Sequence, residues 1–413
     1  MQGKRCHLNA EQLQNLLVMK NAILSIFAFL LLFFVFSCAK EGGAGPKSSS
    51  ESGLFDSSFG SSSGSSSGTS SGSGNGATPA GQITAGEWND LDHWDFWNGL
   101  LDNDTLAGYQ DFWNFHPTQR YAVKVVDYQG KPVCDARVRL LGNGNAPIWE
   151  ARTDNFGRAE LWANLYGGGD QVTQLVVENM LVPNPQPVVV NEVVLVGGLA
   201  PTSALDVAFV VDATGSMGDE IEYLKVELTD VLNRIQNAGG GLDLRAASVF
   251  YRDEGDEYVT KVSPFSSNFS LTQSFVNENK ADGGGDFPEA LDQAMDMAIN
   301  NLEWSEHART RIAFLILDAP PHHEEQIIAT VHRSVQEAAK KGVKVIPIVA
   351  SGIDKETEFL MRYCAMATNG TYVFITNDSG IGNEHLQPTV GDYEVEFLND
   401  LMVRLVKKYS QVQ

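Results

Sequence analysis

The apolar run Val207-Ala208-Phe209-Val210-Val211 is followed at once by Asp212-Ala213-Thr214-Gly215-Ser216-Met217, and a helical pattern opens near Asp219. A buried strand ends, the chain turns on a glycine, and a carboxylate and two hydroxyls are left at the turn. The pattern then recurs. Strand-like stretches at 206–211, 244–251, 258–263, 311–317, 343–349 and 371–375 alternate with amphipathic stretches at 219–237, 270–279, 288–301, 324–341, 355–367 and 393–409. Near-continuous apolar strands alternating with helices predict an α/β domain over 199–413, with a mostly parallel sheet and helices on both faces.

In such a sheet, ligands bind beyond the carboxyl ends of the strands. Three loops should meet there. The first carries Asp212, Thr214, Gly215 and Ser216, the second is Gly283-Gly284-Gly285-Asp286-Phe287-Pro288-Glu289, and the third is Asp318-Ala319-Pro320-Pro321-His322. Oxygen donors with no sulfur and little imidazole specify Mg2+, or Ca2+ or Mn2+, rather than zinc. A helix N-terminus beside the site repels a cation, so Asp212 and Asp318 are needed to offset it.

These three loops together resemble the von Willebrand factor A domain and its metal-ion-dependent adhesion site, over about 210 residues from Leu205 onward. The resemblance implies a Rossmann-like fold in which Thr214 and Ser216 bind the ion directly, and Asp212 and Asp318 act mainly through water. One open position would take an acidic side chain from a protein partner. Tyr251-Arg252-Asp253, the second loop and Asp318 to His322 look closest to bacterial and alpha-kinase-associated members. The family's second loop usually offers a threonine, which this chain lacks there. Asp286 is expected to ligate or cap the ion in its place, or else to N-cap a helix starting at Pro288. Arg252 and Asp253 would border the cleft with His322 as a donor behind the ion, or else belong to a solvated charged loop.

Two rival readings use the same residues. Asp212 at a strand end also suits the aspartyl-phosphate nucleophile of a phosphotransferase, or a Mg2+-dependent hydrolase, but no general base is recognisable beyond the ligand set. Alternatively, the metal would only brace the loops of a structural envelope protein. His323-Glu324 lacks the second histidine of a zinc protease helix, since position 327 is Ile327. The chain is therefore expected to be a binding or adhesion module and not an enzyme.

Upstream, residues 22–36 are apolar and follow Lys20. The run is shorter than the roughly 20 residues that span a bilayer, which favours a secretion signal over a permanent anchor. Val35-Phe36-Ser37-Cys38 resembles the lipobox of bacterial lipoproteins, with Phe36 bulkier than usual, and Lys40-Glu41 resembles a surface-export signal. This implies a signal peptide over 1–37, a lipidated Cys38 and a cell-envelope location; Met19 would serve as an alternative start. The Gly/Ser-rich stretch 38–84 buries nothing and would act as a tether with a reach of about 35 to 40 Å. Residues 85–117 are rich in aromatics, among them Trp94, Trp97 and Trp113, and are expected to be packing anchors, with a sugar-stacking platform the weaker fit.

From Arg120 the period becomes two. Strands at 121–127, 136–141, 148–153, 158–162, 174–178 and 188–196, broken by turns, predict a small all-β sandwich over 118–198. Its phrases Val126 to Val133 and Thr153-Asp154-Asn155-Phe156-Gly157 resemble the carboxypeptidase-regulatory-like module, which implies a spacer or adhesive role. The net charge of -23 argues against nucleic acid as a partner. Cations and basic partners suit it better.

Overall fold

The computed structural model describes residues 81–411 except 103, 188, 201, 239–240 and 380–384. The leader, Cys38 and nearly all of the tether lie outside the described residues. Strand β1 (Thr84–Trp88) and two short helices, α1 (Trp94–Leu100) and α2 (Asp104–Phe112), come first. The sandwich follows, with β2 (Gln119–Val126), β3 (Arg137–Leu141), β4 (Pro147–Arg152), β5 (Arg158–Ala163), β6 (Gln174–Val177), β7 (Met180–Pro183) and β8 (Asn191–Val194). These form one sheet ordered β5-β2-β8 and another ordered β4-β3-β6-β7, which share a buried core of residues such as Val123, Leu140, Leu161 and Leu175. Strand β7 was not expected and β8 is shorter than the predicted 188–196.

The α/β part contains β9 (Ala204–Asp212), α3 (Gly218–Ala238), β10 (Asp243–Tyr251), β11 (Thr260–Ser266), α4 (Phe269–Glu278), α5 (Leu291–Asp296), β12 (Thr310–Leu317), α6 (Glu325–Lys341), β13 (Val343–Val349), α7 (Lys355–Ala367), β14 (Tyr372–Ile375), β15 (Val395–Phe397) and α8 (Leu398–Ser410). The sheet runs β11-β10-β9-β12-β13-β14-β1-β15, parallel from β10 to β14 and antiparallel at both edges. The alternation of β9 explains its uninterrupted apolar sequence. Val207, Phe209 and Val211 pack with α3, α4 and α8 on one face, while Ala208 and Val210 pack with α5, α6 and α7 on the other.

Three elements differ from expectation. β1 lies inside this sheet, paired to β14 and β15, so the α/β unit reaches back past its predicted start at 199. Thr-Ala-Gly-Glu-Trp has no strand periodicity; the pairing is imposed by its neighbours. Gly86 is needed there, because a Cβ would lie 2.6 Å from the Phe374 ring and 2.8 Å from Tyr393. Residues 395–397, expected to be helical, pair instead with β1, and Leu398 then donates to the Ile83 carbonyl as α8 begins. The helix expected from Pro288 starts at Leu291 and ends in a wide π turn, Met297–Asn301.

The sandwich is docked on the α/β part, not strung beside it. Asp135 accepts from Arg311 at 2.9 Å and Asp154 from Lys344 at 3.3 Å, and all four side chains are buried. Both cations sit at the amino ends of their strands, so the sandwich covers the end of the sheet opposite Asp212. The aromatic segment behaves as an anchor: Trp97, Trp113 and Phe115 are fully buried, with Phe115 stacked 3.8 Å from Tyr363. Asp90 takes two bonds from Arg362, at 2.9 and 2.6 Å, and a third from Trp88.

Removing one partner of a buried ion pair leaves the other charge uncompensated, which costs about 3–5 kcal/mol. Glu358 lies 3.5 Å from Arg362 but is already engaged by Lys355 and Thr389. Asp90→Ala should therefore destabilise the fold by roughly 3 kcal/mol, the low end of that range, as read from urea denaturation.

Candidate metal centre

Asp212 closes β9 with its side chain wholly buried. The Thr214 main-chain N–H and hydroxyl both donate to Asp212 Oδ1, at 2.9 and 2.7 Å, which pins the carboxylate to its own turn. Oδ2 is left without a hydrogen-bond partner. The Thr214 and Ser216 hydroxyls are 3.2 Å apart, and Ser216 faces solvent. Asp318, one residue past β12, is also buried with an unpartnered Oδ1.

The second loop is zipped onto the first. Asp282 N–H donates to the Ala213 carbonyl at 3.0 Å, and Gly215 N–H to the Gly283 carbonyl at 3.1 Å. Gly283 and Gly284 have φ of 80° and 73°, and a Cβ on Gly283 would lie 2.4 Å from the Asp256 carboxylate. Asp256 accepts from Gly284 N–H at 2.8 Å and so holds the turn. A Cβ on Gly284 would lie 2.9 Å from Glu289 Oε1 and 3.3 Å from Thr214 Cβ. The glycines therefore let Glu289 come up against the first loop.

Glu289 is the residue that sequence reasoning missed. Its main chain pairs with Pro321 and donates to the Pro320 carbonyl at 2.9 Å, and its side chain is 2% exposed with Oε2 unpartnered. Burial, then the charges of Asp212, Asp253, Asp318 and Asp256, push its carboxyl up to about 9. Asp286, expected to ligate or cap the ion, is exposed at the loop tip, and its charge bears on His322. It does not cap the helix, because Ala290 holds that position with no side-chain bond. The physical cause is that the chain does not turn helical at Pro288. It makes one more extended step, locked to the third loop, and that step carries Glu289 inward. The glycine pair followed by Pro-Glu was the available signal.

Asp212 and Asp318 are both raised, by burial first; Thr214 and the nearby Tyr251 hydroxyl relieve the former and Ser216 the latter, while Asp212 adds to the rise of Asp318. Tyr251, opposite Asp212 in the sheet, is raised by burial and then by the charges of Asp212, Asp318 and Glu289. Glu220, in the first turn of α3, bonds Ser351 through one oxygen and leaves the other unpartnered, and its charge also raises Asp318. Arg252 and Asp253 are buried, not part of a solvated loop. Arg252 donates to the carbonyls of Ala213 at 3.2 Å and Lys280 at 3.0 Å, bridging the first two loops. Asp253 Oδ1 is 2.9 Å from His322 Nε2. Burial would lower His322, but that bond and charge, with Asp286 and Glu254 beyond, hold it above its ordinary value.

Among the described residues no three His, Cys, Asp or Glu side chains are grouped so as to hold an ion by themselves. A cation here would need the Thr214 and Ser216 hydroxyls and water alongside the carboxylates, the donor set of a hard divalent ion. The unpartnered oxygens of Asp212, Asp318 and Glu289 fit such an ion, since buried carboxylates otherwise stay protonated or repel one another.

That has a consequence for stability in chelator. A carboxyl raised in the fold stabilises it while protonated in both states, and the contribution is lost as pH climbs toward the folded value. The chelated protein should therefore melt at progressively lower temperature from pH 5 to pH 9, by roughly 2 °C for each kcal/mol lost. Glu289→Gln should flatten that slope in a calorimetric pH series.

The sequence model of the von Willebrand factor A domain family matches residues 206–380. A putative ariadne-like RING finger protein of Acanthamoeba polyphaga mimivirus is 33% identical over 132 residues, covering 30% of this chain and 12% of that protein. An alpha-protein kinase of Dictyostelium discoideum is 32% identical over 126 residues, covering 30% of this chain and 20% of the kinase. The chain thus spans a fifth or less of these relatives. The solved structure of the conserved hypothetical protein BatB from Bacteroides thetaiotaomicron is 14% identical, with a TM-score of 0.36, over 50% of this chain and 98% of that one. An aerotolerance-related membrane protein from Bacteroides fragilis gives 14% and 0.33, over 49% and 99%. The matched segment contains the first loop, β10, the second loop and Asp318, in a mostly parallel sheet covered by helices on both faces: residues 206–380 have the sequence and fold of a von Willebrand factor A domain.

Proposed function

We propose that this protein is a protein-binding or adhesion module whose von Willebrand factor A domain engages its partner through a divalent cation, Mg2+ in the first instance. The observation that carries this reading is the cluster of buried carboxylates with unpartnered oxygens, Asp212, Asp318 and Glu289, beside the two hydroxyls of Thr214 and Ser216 at the carboxyl end of the sheet. Thr214 and Ser216 would bind the ion, with Glu289 in the place the family gives to a threonine. Asp212 orients Thr214, while Asp318 shares the Ser216 side. Bound there, the ion would supply an open coordination position to a partner. Arg252, Asp253, Asp256 and His322 hold the loops at the spacing this requires.

Calorimetric titration with Mg2+ and Mn2+ tests the ligand set. Glu289→Gln should weaken cation binding at least about tenfold, or about 1.4 kcal/mol, whereas Asp286→Asn should leave it within about twofold. Equal affinities for native protein and Glu289→Gln would remove Glu289 from the site.

The location belongs to the same proposal. The leader and Cys38 support a lipid-anchored envelope protein, with the Gly/Ser tether holding the folded part off the membrane. Among the described residues no helix is long and apolar enough to cross a bilayer. Cys38→Ser should shift the protein from the membrane pellet to the soluble fraction and remove acyl mass from the mature chain. A pellet fraction unchanged by Cys38→Ser would rule out this anchor.

A further inference from the structure

The rim of the site indicates the kind of partner, an inference that rests on the cation reading above. Asp212, Asp318 and Glu289 are 0%, 4% and 2% exposed, and each leaves a carboxylate oxygen without a partner. Ionised, they outweigh one divalent charge, so a filled seat stays net negative. The exposed rim has the same sign. Glu254, Asp282 and Asp286 all face solvent on the two loops beside the seat. Its cations are already engaged: Arg252 is buried against the Ala213 and Lys280 carbonyls, the Lys280 ammonium lies 3.7 Å from Asp282, and His322 lies 2.9 Å from Asp253.

An incoming glutamate or aspartate would meet like charge both at the rim and at the seat, where exclusion of water strengthens the repulsion. A neutral oxygen would meet only the ion. We infer that the partner presents a basic segment, which gives the ion a neutral oxygen and sets a lysine or arginine against Glu254 and Asp286. The net charge of -23 would draw such a segment in from a distance. This departs from the acidic ligand that the family resemblance implies, and the cause is local: Glu289 brings a charge to the seat where a threonine would bring none.

The test compares two labelled peptides of equal length, one repeating Gly-Ser-Lys and the other Gly-Ser-Glu, by fluorescence anisotropy against the full chain. In Mg2+ the lysine peptide should bind at least about tenfold tighter than the glutamate peptide. Chelation separates ion contact from simple charge attraction, because the rim charges of Glu254 and Asp286 survive it. A purely electrostatic contact would persist in EDTA, whereas the proposed one weakens. The double variant Glu254→Gln/Asp286→Asn should reduce the preference and leave Mn2+ affinity, measured separately by calorimetry, unchanged. The inference is overturned by a glutamate peptide that binds more tightly, by a lysine peptide that binds as well in EDTA or ignores the double variant, or by no response from either peptide at millimolar concentration. Failure of Mn2+ to bind at all would instead overturn the cation reading, and this inference with it.

Discussion

Mutual repulsion among buried carboxylates is the constraint on which the carboxyl end of this sheet depends. Asp212, Asp318, Glu220 and Glu289 are all nearly excluded from water, and like charges at such a site push their loops apart. Main-chain hydrogen bonds oppose that push. The first loop is tied to the second through Ala213 and Gly215, and the second to the third through Glu289 and Pro320. Arg252 adds a cationic brace across the first two loops, donating to two carbonyls, with the Glu257 carboxylate 3.8 Å away. The loops are therefore held by bonds that do not neutralise the charge, which leaves the charge available to a cation.

The rest of the chain keeps that end open. The sandwich docks at the amino ends of β12 and β13 through Arg311 and Lys344, away from Asp212. The aromatic segment reaches the other way. Phe112 stacks 3.5 Å from the His323 ring, and His323 and His332 contact the carbonyls of Phe112 and Trp113 at 2.7 and 2.9 Å. His323 directly follows the third loop, so α2 supports that loop from outside while leaving its inner face free. Trp97, Trp113 and Phe115 are buried in the same segment, Trp97 and Phe115 against Phe359 of α7, which accounts for much of its density of aromatics.

What could be read from the sequence was what the local pattern determines. The parallel strands were legible because burial on both faces demands unbroken apolar runs, and Asp212, Thr214, Ser216 and Asp318 were legible because a strand end fixes where such residues must lie. β1 and β15 were not: their few residues carry no period, and each is a strand only because the other and β14 complete the pairing. Glu289 was lost to a different ambiguity. Pro288 is a good first residue for a helix, so Glu289 looked like an ordinary acidic residue of the first turn. Only its tertiary pairing with Pro321 shows otherwise.

The three-residue shift from Asp286 to Glu289 changes more than a label. A carboxylate at an exposed loop tip acts through water, where two charges 4 Å apart interact by only about 1 kcal/mol, while near a protein interior the same pair interacts by about 4 kcal/mol. Asp286 in solvent would tune the approach of a ligand and little else. In the proposed site Glu289, enclosed beside Thr214, would act on the seat itself, raising the affinity for a cation and lowering the electrophilicity that the ion could offer outward. A threonine hydroxyl would bring no charge. On the proposed reading, the glycine pair that makes room for Glu289 would be the point at which this chain's sequence separates cation binding from the recruitment of an acidic ligand.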